Sequence, residues 1–530
     1  MHAYPRLRLV VLPALALALV PAAPAAASGF SLGVAAGEVK TSSAILWARA
    51  DKAGAVTLKV KLGTLPVASY TLQAKPANDN TVQKLVTRLQ AGKTYKYFFV
   101  QGKSKSPVGT FKTPPSATAN KTIRFAFSGD ADAQRAKGQS NIFYDSLKGN
   151  NGLTAESFGI YRQMTAEKND FNVNLGDTIY TDSEVPGIAK VTSLAGKRAK
   201  YRMNLAVANL RLLRRSTGVY NHWDDHEFIN DFTKPEHGAA IYNAGVKAFL
   251  EYMPAHYAST GGLGLYNTER WGKNLQIFRP DERSFRSAKA SANHTCDNPQ
   301  THQPDLAPTA PQSTRNTFAI VAPSLSQPVS QKCKNAINSS KRTMLGKTQF
   351  DRFTSEVKNS TATFKVILNE VPIQQFYALP YDRWEGYEHE RQALLHKLQN
   401  AGVKNLVFLT TDTHANLLNV VRYKTLESGG PQDSPYKEFV TGPVSTMTFE
   451  REIDRITGKS GNGNLVDGAF FSQPPPNGPG MPCSNINVYS YGEVQVTSKS
   501  LTITAKDVHG HVVKDQSDKT TPCVMTIPKQ

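Results

Sequence analysis

After residue 115, five short apolar runs end in residues able to hold a cation or a phosphate. Ile123–Phe127 leads into Ser128-Gly129-Asp130-Ala131-Asp132, and Phe171–Leu175 into Gly176-Asp177-Thr178-Ile179-Tyr180. Val219–Trp223 leads into Asp224-Asp225-His226-Glu227, Phe364–Leu368 into Asn369-Glu370, and Leu406–Leu409 into Thr410-Thr411-Asp412-Thr413-His414. In α/β folds the carboxyl ends of buried strands open onto a common crevice, so these side chains are expected to converge. Converging carboxylates repel, and leaving them desolvated and unpaired is costly; a bound cation removes the conflict. The donors are Asp, Asn, His and a Tyr phenolate, without thiolate. Such a hard-to-borderline set suits iron, manganese, calcium, magnesium or zinc, and does not suit copper(I).

Singly, each motif has an ordinary explanation. Gly-Asp at a strand end is a turn more often than a ligand. Asp224-Asp225-His226 would cap a helix, Tyr180 would pack as an aromatic, and Asn369 would satisfy nearby backbone. The joint pattern is what points to a metal site. His226-Glu227-Phe228-Ile229-Asn230 starts like a zinc-protease helix, but Asn230 stands where the second histidine would be. No G-x-S-x-G elbow, Walker loop or G-x-G-x-x-G follows a strand.

The elements that must position these residues are α/β. Residues 157–168, 239–252 and 387–400 carry apolar side chains at helical spacing between the apolar runs. Residues 30–114 alternate apolar and polar, as in Val56–Leu62 and the Tyr95, Tyr97, Phe99 series, which predicts a small antiparallel sandwich. The Pro/Ser stretch Thr113–Ala117 predicts a boundary, giving an N-terminal domain at 28–115 and a catalytic domain at 116–530. Within the latter, 287–340 is rich in Ser, Thr, Asn, Pro and Gln and reads as a surface insertion. Tyr491–Val496 and Leu501–Ala505 predict a closing hairpin.

Composition sets the setting. Of 530 residues, 40% are hydrophobic and 20% charged, which excludes general disorder. Residues 1–27 read as a secretion signal: Arg6 and Arg8, an apolar run from Leu9 to Val20, then Ala25-Ala26-Ala27. No later run reaches the roughly 18 apolar residues of a membrane span, so an exported protein is expected. Lys and Arg total 62 against 42 Asp and Glu, a formal charge of +20. That balance suits solubility or the attraction of anionic substrates, such as small phosphate esters, teichoic polymers, phospholipid or extracellular nucleic acid. The basic residues are scattered, so no dedicated nucleic-acid-binding motif is present. The four cysteines form no C-x-x-C pair, and their even number predicts two disulfides. Order permits three pairings; the local ones, Cys296–Cys333 and Cys483–Cys523, are favoured.

In NLGDTIY, WDDHEF, YDRWEGYEHER and TTDTHAN followed by EFVTGPVSTMTF, the chain resembles the PhoD-type alkaline phosphatase and phosphodiesterase family over nearly its whole mature length. The resemblance implies a fibronectin III-like N-terminal β-sandwich, followed by a metallophosphatase-type sandwich of two mixed sheets flanked by helices. It implies that Asp177 bridges two metals, Tyr180 gives a phenolate to a ferric-type ion, and Asp225 binds the second metal. His226 would face the phosphate or leaving group, Asp412 and His414 would complete the cluster, and Asn369 and Asp132 would lie toward the substrate. Two or more ions are implied, iron plus calcium. Characterised members often carry a cysteine in the first motif, where this chain has Asp130, and the harder ligand brings manganese or zinc into range. The implied reaction is metal-assisted hydrolysis of phosphate esters, with His226 protonating the leaving oxygen. The alternatives are a phospholipase D or teichoic-polymer phosphodiesterase and, from another class, a non-catalytic surface-binding protein.

Overall fold

The computed structural model describes residues 29–144 and 158–530; the expected secretion signal lies outside the described residues. Two mixed sheets pack face to face. In the first, of nine strands, Phe171–Leu175 lies between Ile123–Ser128 and Gly218–His222, parallel to both. In the second, of seven strands, Phe364–Leu368 lies parallel to Leu275–Arg279 and Leu406–Thr410, and the latter is parallel to Gln432–Val440.

Side-chain alternation decides which face meets which layer. Phe171, Val173 and Leu175 join Phe125, Phe127 and Tyr220 in the inter-sheet core, against Val366, Leu368, Val407 and Leu409 of the second sheet. The intervening Ile367, Leu406 and Phe408 point outward onto helices Lys347–Asn359 and Glu388–Asn400, through Phe353, Val357, Leu394 and Leu398. Helices Gly159–Ala166, Leu194–Leu205 and Ala239–Tyr252 cover the other sheet with Ile160, Tyr161, Tyr201, Leu205, Phe249 and Tyr252. Each strand is thus buried on both faces, which is why its polar residues crowd at its end.

Toward the N-terminus, Gly54–Leu62, Leu65–Ala74, Thr94–Gln101, Ser104–Lys105 and Gly109–Lys112 form a third sheet. Its apolar face shares a core with Val34–Lys40, Ser43–Arg49 and Thr81–Val86. These last three strands continue the nine-stranded sheet, joined by the parallel pairing of Ala36 with Gly218. One sheet therefore crosses the Pro114–Pro115 stretch, and the N-terminal sandwich is built onto the edge of the larger layer. The closing hairpin is present as Ser490–Val496 and Ser500–Asp507, with Val524–Pro528 as a third strand.

Residues 287–340 hold helices Gln312–Phe318 and Gln331–Ile337 and are stapled by Cys296–Cys333. They differ from a purely surface excursion: Phe318 and Leu325 pack with Phe376, Phe449, Phe470 and Phe471. Isolated apolar residues in a polar run carry no periodic signal, yet these two are largely buried. Cys483 pairs with Cys523.

Candidate metal centre

The loops after the central strands meet at one place, and they are forced into it. Asp130, Asp177, Asp412 and His414 all have left-handed backbones, with φ of 63°, 48°, 65° and 56°. Such conformations cost on the order of 1–3 kcal/mol each and persist only where surroundings over-determine them. Gly176, at φ 89°, is required for a second reason: a Cβ there would stand 2.5 Å from Asp224 Cβ. Glu227 ties two loops together by accepting the N–H groups of Asp177 (3.1 Å), Thr178 (2.7 Å) and Asp224 (2.8 Å). Lys197 Nζ donates to the carbonyls of Glu227 and Phe228, and the Asn204 amide to those of Ala131 and Thr178. The Thr411 hydroxyl donates to Leu175 O at 2.7 Å, joining the two sheets beneath the site.

Among the described residues four overlapping groups result, each with ligand atoms within 4.8 Å of one another: Asp130, Asp177 and His414; Asp177, Asp225 and His226; Asp224, Asp225 and Asp412; and Asp225, Asp231 and Asp382. Asp177 and Asp225 are the shared members. The Tyr180 hydroxyl lies 3.0 Å from His414 Nε2, and its ring stacks on His226 at 4.0 Å between centroids. Asn369, at the end of its strand, is buried with Nδ2 unpartnered. Asp132 is engaged elsewhere, accepting the Gln134 N–H at 2.9 Å and the Ser183 hydroxyl.

The electrostatics are those of an anionic cage. Burial, then the Asp224 charge, holds Asp130 and Asp412 well above the usual carboxylate range; Asp177 is raised by burial and by Asp225 and Asp224, although His226 opposes. Burial brings Asp224 to about 7 even against Arg283. Burial opposes protonation of His226, but Asp225, Asp182 and Asp177 outweigh it and raise its pKa well above normal. Burial, then the positive His226, holds His414 down at about 3, and burial with the Asp177 and Asp130 charges raises the Tyr180 phenol.

The donor set fits bound cations. Asp130 Oδ2, Asp224 Oδ2, Asp225 Oδ1 and His414 Nδ1 are buried without a hydrogen-bond partner, which a packed protein rarely tolerates.

A surrounding layer escaped the sequence reading. Arg283 reaches Asp224 at 2.5 Å and Asp382 at 2.8 Å, and Arg286 reaches Asp382 at 2.7 Å. Asp182 accepts from His226 Nδ1 at 2.7 Å and from the Asn230 N–H at 2.8 Å, so its pKa is depressed despite burial. Asp224 was visible in the Asp-Asp-His run; the arginines and Asp382 lie in irregular segments with no periodicity to mark them.

A two-sheet α/β sandwich thus gathers Asp and His side chains at its strand ends. Residues 148–503 match the family described as PhoD-like phosphatase, and residues 14–115 match its N-terminal domain. The chain belongs to the PhoD-like phosphatase family. It is 24% identical over 434 residues to alkaline phosphatase D of Bacillus subtilis (strain 168), covering 73% of this chain and 64% of that protein's length. Its fold is similar to a solved structure of PhoD, with a TM-score of 0.68 and 20% identity over 95% of this chain and 91% of that one. It is also similar to a purple acid phosphatase, PPD1, from yellow lupin seeds, with a TM-score of 0.54 and 10% identity over 94% and 73% of the two chains.

Proposed function

We propose that the protein is an exported, metal-dependent hydrolase of phosphate esters, acting on monoesters and also on diesters. The observation that carries this reading is the set of buried, partnerless carboxylate oxygens of Asp130, Asp224 and Asp225 within the overlapping ligand groups. Asp130, Asp177, Tyr180 and His414 would hold one cation, and Asp177, Asp225 and Asp412, with Asp224 beside them, a second. Cations bound there would supply the charge that lowers the pKa of water and steadies negative oxygens. The all-oxygen and nitrogen donor set leaves iron with calcium, manganese or zinc as the candidates.

The chain's own residues do the rest. Asp182 fixes the Nδ1 side of His226, and Tyr180 fixes its ring plane. With Nδ1 committed to Asp182, His226 would present Nε2 to the leaving oxygen and give it a proton. Asn369 offers an unpartnered amide toward the substrate, while Asp132 and Ser183 brace the loop behind Asp130. Two disulfides fit an oxidising compartment, and among the described residues no helix is long and apolar enough to cross a membrane.

The test is elemental analysis of purified protein, paired with hydrolysis of a chromogenic monoester, a bis-ester and a phospholipid before and after chelation. Hydrolysis that chelation abolishes and metal restores is expected. A metal-replete protein that cleaves none of the esters would refute the reading and favour a surface-binding role.

A further inference from the structure

Arg383 stands beside the acidic cluster with its guanidinium fixed and its donors largely unspent. Its Nη1 donates to the Ala378 carbonyl at 3.0 Å. The guanidinium carbon lies 5.1 Å from the Phe376 ring centre and 5.9 Å from that of Phe449, within cation–π range. Nε comes to 3.9 Å from Asp412 Oδ2, near enough for attraction and too far for a hydrogen bond. No other acceptor among the described residues takes a proton from Nε or Nη2. The side chain is 8% exposed, so this is a nearly buried cation with N–H groups still to offer. Arg283 and Arg286 also keep one buried nitrogen each without a hydrogen-bond partner, Nη2 and Nε, but they differ in that Asp224 and Asp382 meet their charge at contact distance.

The backbone carrying Arg383 is held on several sides. Its N–H donates to Pro380 O at 3.1 Å, and the preceding Asp382 is clamped by both buried arginines. Glu385 accepts the N–H groups of Phe376 and Tyr377 at 2.9 and 3.1 Å, which fixes the ring on which the guanidinium lies. The Phe449 N–H donates to His414 O at 3.1 Å, locking the other ring to the cluster's own loop. A long, rotatable side chain is thereby pinned at the edge of an anion-repelling cage.

We propose that Arg383 is the clamp on the phosphoryl group: its free N–H groups bind a non-bridging phosphate oxygen beside Asp412 and favour dianionic monoesters over diesters. The proposal rests on the phosphate-ester reading of the same site. A guanidinium fork matches phosphate oxygens and makes short, charge-assisted bonds to them. A monoester has three non-bridging oxygens and carries two charges when fully ionised. A diester has given one of those oxygens to a second alkyl group and carries a single charge. The clamp therefore loses both charge and an acceptor with the diester.

The experiment compares wild type with R383A, R383Q and R383K on p-nitrophenyl phosphate and bis(p-nitrophenyl) phosphate after metal repletion. Metal content is expected to stay unchanged, while kcat/KM for the monoester falls about 100-fold in R383A and R383Q. The diester should lose at most about fivefold. R383K, which keeps the charge and loses the fork, should fall between and covers the case in which the neutral variants do not fold. The inhibition constant of inorganic phosphate should rise with the monoester loss, and millimolar guanidinium chloride, unlike sodium chloride, should restore part of R383A turnover. Equal losses on both esters with unchanged phosphate inhibition, or a loss that tracks missing metal, would overturn the proposal, since Arg383 would then merely brace Asp412. If the wild type hydrolyses neither ester, the hydrolase reading fails separately. Calorimetric titration of inorganic phosphate then decides the clamp, and equal affinity in wild type and R383A overturns it.

Discussion

Replacing Glu227 with Gln isolates the contribution of one buried carboxylate to the shape of the metal centre. Its Oε1 accepts from Thr178, and its Oε2 accepts from both Asp177 and Asp224. A glutamine must turn its NH₂ group toward one side. Keeping the two bonds at Oε2 sets NH₂ against the Thr178 N–H, so one charge-assisted bond is lost, worth roughly 1.5–3 kcal/mol, and the two that remain weaken to neutral strength, a further ~1 kcal/mol. Burying a neutral amide is easier than burying a carboxylate whose pKa burial has pushed up to about 7, and this offsets about 1 kcal/mol. The net expectation is a loss of about 1.5–3 kcal/mol in the metal-free protein at pH 8, where the carboxylate is ionised. Urea unfolding of both proteins measures it directly. Cation affinity should fall at least about tenfold, because the loops presenting Asp177 and Asp224 are no longer tied together. If the unfolding free energy from urea stays within about 0.5 kcal/mol of wild type and the variant fills with metal at the same free concentration, the reasoning is wrong. The three N–H groups would then not need the charge.

Asp177→Asn removes a ligand shared by two of the groups. It is expected to lower kcat by at least about 100-fold with reduced metal content, and retention of most turnover by fully loaded protein would contradict the shared role. Replacing Cys296 and Cys333 by Ser opens a loop closed over a separation of 37 residues, with an expected loss of about 3–4 kcal/mol on the chain-entropy account, read by thermal unfolding with and without reductant. Asp467 lies far from the centre in sequence, both its carboxylate oxygens are buried without a hydrogen-bond partner, and burial, then the Asp515 and Glu450 charges, hold its pKa at about 7. The folded state binds its proton between about pH 4 and 7 while the unfolded chain does not, so this contribution is fully present below pH 4 and is lost as pH rises through 7. D467N should flatten that slope by on the order of 3 kcal/mol between pH 5 and 8; an unchanged pH profile would show that the carboxyl is not desolvated.

Much of the centre was legible because the strands announce themselves. In Phe171-Asn172-Val173-Asn174-Leu175, apolar residues fall on one face, and the next residues are Gly176 and Asp177, whose left-handed backbones turn the chain at the strand end. The same logic applied before Asp130, Asp225 and Asp412. It failed for Arg283, Asp382 and Arg383, whose partners come from loops about 30 to 100 residues away in sequence and obey no local period. It expected Asp132 toward the substrate, and could not show that a Ser183 hydroxyl from another loop bonds to that carboxylate. The polar run around Phe318 and Leu325 hid two packing residues because single apolar side chains are invisible without their neighbours. The junction of Ala36 with Gly218 rests on one register pair between distant segments, which local alternation cannot encode.

That junction bears on how the protein tolerates being cut. A fragment beginning near Pro115 would leave the Gly218–His222 strand with one flank bare, its backbone donors and acceptors turned toward solvent or toward another copy of the fragment. Asp224 and Asp225 follow that strand within three residues, so fraying at the exposed border would reach the buried acidic cluster first.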